Sequence, residues 1–508
     1  MNTAHENGIG GLFAKDIPRK SWPSILWLAF NLILGLVGGI ALAWGPLAAP
    51  WPIVALLGLI GGLLGGIVGW WSNRTARRRR VLLGHGVILL GVAMAVLIPS
   101  YRVGMIAMPG ETWEGNFRRL WRAMDYAYPY FEQKGVDWED VYRRYAPQVA
   151  EVESDHAYWR LVTRVLAELN DGHTGLISPS IRSGRRYFAI CRDVGGAIVL
   201  DRVGQIARDA GLERGDVVLA VEDVSIEEAM ARVSPVLQAG STPWQRRANA
   251  TYHLLSTTED ALAVTVSGVT GERTVILVWR DDPPAPVVED VALWQPLITG
   301  ERLPSGLGLI HIPTFGAGTG HDLVAEFDAA LDGLMDAPGL ILDLRENSGG
   351  TTLISDRVAG RFFRRPFIYG REYFCLRLPQ RGWRPWFDYR VLPRGSTYDG
   401  PVVLLTDVYT FSTAENFGVA MVDSGRATTV GRQTAGSSGN PVSFRLPGGA
   451  RARFSTGDFR RNDGGLGMGQ PIEGIGITPD MFVIWTVDDL REGCDPDVAA
   501  AEGLLMGR

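Results

Sequence analysis

Cysteine is scarce in this chain. Cys191, Cys375 and Cys494 are the three in 508 residues, far apart and without a CxxC pair. That spacing argues against a disulfide framework and leaves no zinc-ligand pattern, so no metal is expected. Charge of one sign is lacking too. A net charge of -5 with 21% charged residues gives no basic surface for nucleic acid. There is no internal repeat and no low-complexity tract. Lysine is nearly absent, occurring at Lys15, Lys20 and Lys134 only. The mean hydropathy of +0.05 is high for a soluble protein, and the excess is concentrated near the N-terminus. A chain of this length is expected to hold about three domains.

The N-terminal hydropathy falls into three runs. Uncharged apolar segments occupy Trp22 to Trp44, Trp51 to Trp71, and Val81 to about Ile98. Each approaches the roughly 20 residues a helix needs to cross a bilayer. Trp22, Trp44, Trp51, Trp70 and Trp71 stand at segment ends, where indole favours the interface. The arginine-rich loop Arg74 to Arg80 belongs in the cytoplasm by the positive-inside rule, together with Lys15, Arg19 and Lys20. These observations predict a cytoplasmic tail (1–21), a membrane anchor of three transmembrane helices (22–100), and delivery of the rest to the outer side.

The stretch from Leu405 to Phe417 carries the strongest chemical signal. Val402 to Leu405 is an apolar run after Pro401, read as a buried strand. From Thr413 the spacing becomes helical, with Ala414, Phe417, Ala420 and Met421 on one face and Gly425 as the stop. Ser412 therefore falls at a strand-to-helix turn, beside free backbone N–H groups and a positive dipole end. A nucleophile can be built there, and so can an ordinary N-cap.

Other stretches qualify that choice. Residues 110 to about 180 read as helical, with Phe117, Leu120, Trp121, Met124 and Tyr128 on one face and Tyr158, Leu161, Val162, Val165, Leu166 and Leu169 on another. The second helix stops at Asn170-Asp171-Gly172-His173-Thr174-Gly175, which makes His173 the best-placed general base among seven histidines. His311, in a strand-like run, is the reserve. Residues 188 to about 282 are strand-rich. A buried strand from Gly339 to Leu344 ends in Arg345-Glu346-Asn347-Ser348-Gly349-Gly350, and paired glycines after a strand let N–H groups face a substrate oxygen. Glu473 stands among apolar and glycine residues. It could orient an imidazole or be an exposed surface acid.

Together these stretches resemble the tail-specific, C-terminal-processing serine peptidases, and within them the tricorn-core-like branch. The matching residues are Asp171-Gly172-His173-Thr174, Gly211-Leu212-Glu213-Arg214-Gly215-Asp216, Asp343 to Gly350, Thr410 to Glu415, and Glu473 to Asp480. The resemblance implies a helical subdomain carrying the His (110–187), a PDZ-like β-rich domain (188–285) and a crotonase-like α/β peptidase core (300–490), followed by a C-terminal tail (491–508). With the anchor, the expected fold class is a multi-domain membrane protein.

The family has a Ser–Lys solution and a Ser-His-Glu solution. The glycine-rich stretch after the Ser412 helix reads Ala435-Gly436-Ser437-Ser438, without lysine, so the second applies. Carried over by motif, Ser412 is the nucleophile, His173 the base and Glu473 its orienting acid. Gly349, Gly350 and Thr413 supply oxyanion N–H groups. The tricorn pattern has a Ser before the His, and here that position is Gly172. The implied protein is a membrane-anchored serine peptidase in the bacterial inner membrane. It acts on protein or peptide substrates outside the cytoplasm and needs no cofactor. The alternative is a catalytically silent PDZ-like/crotonase-like binding or scaffold protein at the membrane surface.

Overall fold

The structure, a computed structural model, describes residues 111–178, 186–235, 237–279, 296–377, 381–464 and 467–507. It corrects one expectation. The chain was expected to be a multi-domain membrane protein with three transmembrane helices, integral to the bacterial inner membrane. No helix among the described residues is long and apolar enough to cross a membrane. The longest described helix, α1 (Trp113–Ala127), has 15 residues. It spans about 22 Å, short of the roughly 30 Å of a hydrocarbon core. It is also amphipathic, with Arg118, Arg119 and Arg122 among its residues. The segments 22–44, 51–71 and 81–98, and the 1–21 tail, lie outside the described residues, and the membrane assignment is not carried further.

Helices α1, α2 (Trp138–Val149) and α3 (Asp155–Ala167) begin at Thr112, Asp137 and Ser154. Each of these side chains accepts an N–H of the first turn, the standard way to satisfy a helix start. Phe117, Leu120, Met124, Tyr158, Leu161, Val162 and Val165 are buried, as the helical spacing requires. After α3 the chain turns through His173 into β1 (Gly175–Ile177).

A strand-rich unit follows. Strands β2 (Ala189–Val194), β3 (Ala197–Val203) and β4 (Val217–Val221) precede helix α4 (Pro243–Tyr252). Strands β5 (Ala261–Gly268) and β6 (Gly271–Val278) complete an antiparallel sheet of order β2-β3-β4-β5-β6. Its core holds Leu200, Leu212, Val218, Val264, Val266 and Leu277.

The site is built on a third, mostly parallel sheet. It contains β7 (Thr299–Arg302), β8 (Gly308–His311), β9 (Leu340–Asp343), β12 (Val402–Thr406), β13 (Thr428–Gly431) and β17 (Met481–Phe482), in that order. Between these strands come helices α5 (Leu323–Asp332), α6 (Thr352–Ala359) and α7 (Thr413–Asp423). The hairpin β10 (Phe367–Arg377) and β11 (Arg381–Val391) extends to β16 (Gly457–Arg461). Strands β14 (Val442–Arg445) and β15 (Arg451–Phe454) pair with each other.

Strands β9 and β12 are buried along their whole length. Leu340, Leu342, Val402 and Leu404 face one cluster with Phe327 and Phe417. Ile341, Val403 and Leu405 face another with Ala501. A sheet covered on both faces needs such unbroken apolar runs. Ala501 lies on α8 (Pro496–Leu505), so the segment expected as a tail is a helix packed on the sheet. Because β9 and β12 are parallel neighbours, the turns after them emerge side by side at their carboxyl ends, the usual place for a site in such sheets. Strand β1 pairs with β15, Gly175 opposite Arg453, and this draws the His173 turn to the core.

Candidate active site

The turn after β12 is locked by one buried carboxylate. Asp407 Oδ1 accepts the N–H groups of Glu346 (3.1 Å), Tyr409 (3.0 Å) and Thr410 (3.0 Å). The Thr410 hydroxyl donates to Leu344 O (2.9 Å), and Phe411 N–H donates to Asn347 O (3.0 Å). The two turns are thereby tied together. Ser412 then takes φ 59 and ψ -121, a region a non-glycine residue enters only when its surroundings enforce it. Glu415, fully buried, accepts the N–H of Ser412 (3.1 Å) and of Ser437 (3.0 Å) on one oxygen. Its other oxygen accepts Gly436 N–H (2.8 Å) and the Thr434 hydroxyl (2.6 Å). Burial pushes the Glu415 pKa up to about 7 against those four donors.

Ser412 Oγ lies 2.9 Å from Nε2 of His173. The imidazole stacks on Phe411, ring centres 4.4 Å apart. Its backbone is fixed by Asp171, which accepts His173 N–H (2.8 Å) and the Thr174 hydroxyl (2.6 Å). Burial pushes the His173 pKa down to about 4; Asp171 raises it and Arg453 lowers it further. The ring is therefore neutral near pH 7 and able to accept a proton.

The glycine pair divides its work. Gly349 N–H is taken by Asn347 Oδ1 (2.8 Å), so it is not an oxyanion donor. Its own role is clearance. At φ +86, a Cβ on Gly349 would lie 2.7 Å from Phe411 O and 2.8 Å from Thr413 N. Among the described residues no hydrogen bond takes the N–H of Gly350 or of Thr413. The Thr413 hydroxyl donates to Gly350 O (3.0 Å), which holds these two segments together beside Ser412.

Glu473 is buried, not exposed, yet it does not reach His173. Its Oε1 is 2.7 Å from Lys134 Nζ, and its Oε2 accepts Ser438 N–H (2.8 Å). His173 Nδ1 is buried with no hydrogen-bond partner. Burial pushes the Glu473 pKa up to about 8, opposed chiefly by Lys134 and further raised by Asp171. His311, the reserve base, faces Asp343 at 3.7 Å and is half-buried.

Residues 306–483 match peptidase family S41, and residues 109–167 match the tricorn protease C1 domain. These matches support a tricorn-like serine peptidase, with the S41 region at residues 306–483. Tricorn protease homolog 1 of Streptomyces coelicolor is 26% identical over 421 residues, covering 80% of this chain and 36% of the relative. Putative tricorn protease homolog 2 of the same organism is 24% identical, covering 73% and 30%. The chain thus spans about a third of the length of these curated relatives. The fold is similar to that of mature CPAF complexed with lactacystin, with a TM-score of 0.64 at 16% identity, covering 78% of this chain and 98% of that one.

The S41 site also contains residues that motif reading missed. Lys134, from the turn after α1 and one of three lysines in the sequence, reaches Glu473 and also donates to Asn170 O (2.8 Å). Ser241, Thr242 and Gln245 open α4. Ser241 Oγ accepts Gly172 N–H (3.1 Å) and its hydroxyl favours the charged form of Glu473. Thr242 donates to Ala435 O (2.9 Å), and Gln245 Oε1 accepts the Ser437 hydroxyl (3.0 Å). The only local sign of this was a Ser-Thr-Pro helix start. Gly172 has a packing reason as well. A Cβ there would sit 2.7 Å from Ser437 Oγ and 2.9 Å from the Phe411 ring, so a serine would require those side chains to shift.

Proposed function

We propose that this chain hydrolyses peptide bonds of protein or peptide substrates by acyl transfer, with Ser412 as nucleophile and His173 as general base. The observation that carries the reading is the 2.9 Å contact between His173 Nε2 and Ser412 Oγ, with the serine held at positive φ at a helix start. A serine used only as a helix cap has no need of a buried, neutral imidazole on its hydroxyl.

The steps follow from the geometry. Ser412 Oγ attacks the scissile carbonyl carbon while His173 Nε2 takes its proton. The carbonyl oxygen, now negative, receives the N–H groups of Gly350 and Thr413, at the positive end of α7. Collapse of the tetrahedral intermediate breaks the C–N bond, and the imidazolium returns the proton to the leaving amine. Water then attacks the Ser412 ester, losing its proton to His173; collapse breaks the C–Oγ bond, the imidazolium returns that proton to Ser412 Oγ, and the acid product leaves. Glu415 and Asp407 hold the turn and take no proton. The sheet β2-β6 is proposed as the PDZ-like unit and the parallel sheet as the crotonase-like core.

Labelling with a fluorophosphonate tests this. The probe is expected to modify Ser412 in the native chain and to leave Ser412→Ala unmodified. A native chain that resists the probe while folded, or a Ser412→Ala chain that still labels, would sink the reading and favour a silent binding protein.

A further inference from the structure

Two buried polar atoms near the base lack a partner. One is Nδ1 of His173; the other is Oγ of Ser455. Ser455 is fully buried just after β15, where its N–H donates to Thr174 Oγ1 (3.3 Å). The β1–β15 pairing holds these two segments in register. A Cβ built on Gly439 would lie 2.4 Å from Ser455 Oγ and 2.9 Å from Cγ of His173, the ring atom bonded to Nδ1. The Ser455 hydroxyl and the Cβ–Cγ base of the His173 ring, from which Nδ1 branches, therefore border one glycine-sized space. A buried donor or acceptor left unpaired is unfavourable, and a single hydrogen bond satisfies both of these.

We propose that Ser455 is the positioning residue of the base, its hydroxyl oxygen accepting the Nδ1–H of His173 in the working enzyme. The inference rests on the reading of Ser412 and His173 given above. Its chemical sense is tautomeric. An imidazole with its proton on Nδ1 presents a lone pair at Nε2, the atom that faces Ser412 Oγ. With Nδ1 unpartnered, the Nε2–H tautomer competes, and that form cannot accept the serine proton. The other charged groups around the ring are engaged elsewhere. Asp171 holds the backbone N–H of His173 and the Thr174 hydroxyl, Glu415 holds Ser412 N–H, and Glu473 is occupied by Lys134 and Ser438. Arg453 is cationic and has no lone pair to offer. Gly172 leaves no hydroxyl of its own, and Ser455 provides one from the opposite strand.

The experiment uses the full chain and reads the second-order rate of fluorophosphonate labelling against pH. It is joined by imidazole ¹⁵N spectra of histidine-labelled protein. Ser455→Ala is expected to label on the order of tenfold more slowly, because part of the base sits in the wrong tautomer. Its acid limb is expected to move to lower pH, because the imidazolium loses an acceptor. The Nδ1 resonance should also lose its hydrogen-bonded shift. Ser455→Cys keeps the shape with a weaker acceptor and should fall between. If Ser455→Ala does not fold, as judged by circular dichroism, Ser455→Cys decides alone. A folded variant with the native rate, acid limb and Nδ1 shift overturns the role of Ser455 while leaving Ser412 and His173 in place. A native chain that does not label at Ser412 overturns both.

Discussion

Around Ser412, the groups that fix the nucleophile come from close by. Asp407 and Glu415 lie five and three residues away in sequence and accept the N–H groups that shape the turn. Of the more distant partners, the Asn347 turn leaves an adjacent parallel strand, and Thr434, Gly436 and Ser437 donate to Glu415. Around His173 the arrangement is different. Phe411 and Gly439 lie against it and Arg453 acts on it, all from more than two hundred residues away in sequence, and its outer nitrogen has no partner. The acid that motif reading assigned to it is held by Lys134 instead. The difference teaches that the nucleophile is set by local chain geometry, whereas the base is set by how separate segments assemble. Substitutions on the two sides should fail in different ways.

The largest effect is expected at the nucleophile. Ser412→Ala should lower turnover by on the order of a thousandfold or more with the fold intact, measured on a labelled generic protein substrate. His173→Ala should cost nearly as much. The double variant should cost little more than either, because groups acting as one unit are not additive. Additive losses would break the idea that the two form one device.

Next comes the clearance at Gly349. Gly349→Ala must place a methyl carbon within 2.8 Å of Phe411 O and Thr413 N at φ +86. The neighbouring atoms are backbone and cannot yield cheaply. The expected result is a loss of kcat of about a hundredfold, the scale of losing one oxyanion donor, with less change in KM. A native kcat would show that the Ser412 side tolerates displacement.

Smaller effects are expected on the base side. Glu473→Gln should change kcat by less than about tenfold, since Glu473 meets Lys134 and Ser438 and not the imidazole. A loss as large as that of His173→Ala would restore Glu473 as the direct partner and erase the contrast. The pH profile sharpens the same point. Burial depresses the His173 pKa to about 4, so the acid limb of kcat/KM should fall below the ordinary 6.5. A carboxylate acting on the ring would have moved it upward. An acid limb above 6.5 would contradict the structure.

The smallest effect concerns stability alone. Glu372 is buried on β10, with Tyr389 donating to Oε2 (2.9 Å), and burial raises its pKa to about 8. A raised carboxylate pKa gives stability that is complete below its ordinary 4.5 and lost as pH climbs through about 8. Tm should therefore drop over that window. Glu372→Gln should flatten the drop, and an unchanged slope would reject it.

Much of this was legible in the chain because it depends on short-range pattern. Unbroken apolar runs marked β9 and β12, and the change of period at Thr413 marked α7 with its stop near Gly425. The break after α3 placed His173 in a turn. The reading faltered where a side chain crosses between elements. Gly349 looked like an oxyanion donor, but its N–H is spent on Asn347 two residues away. Lys134 looked remote, and Glu473 looked free to reach the histidine. The hydropathy of the first hundred residues suggested membrane spans, and no described helix has the length or apolarity for one.

Sequence by itself determined the pieces: a strand-to-helix serine, a turn histidine, a glycine pair after a buried strand, and a carboxylate between glycines. Periodicity and turn chemistry act over a few residues, so they survive in a one-dimensional record. Only the tertiary structure decided which buried polar groups meet. His173 Nε2 found Ser412, Glu473 found Lys134, and Ser455 came to border the same glycine-sized space as His173. Those pairings follow from desolvation: once strand pairing and core packing bring charged and polar atoms out of water, each must take the nearest partner the fold provides, whatever its distance along the chain.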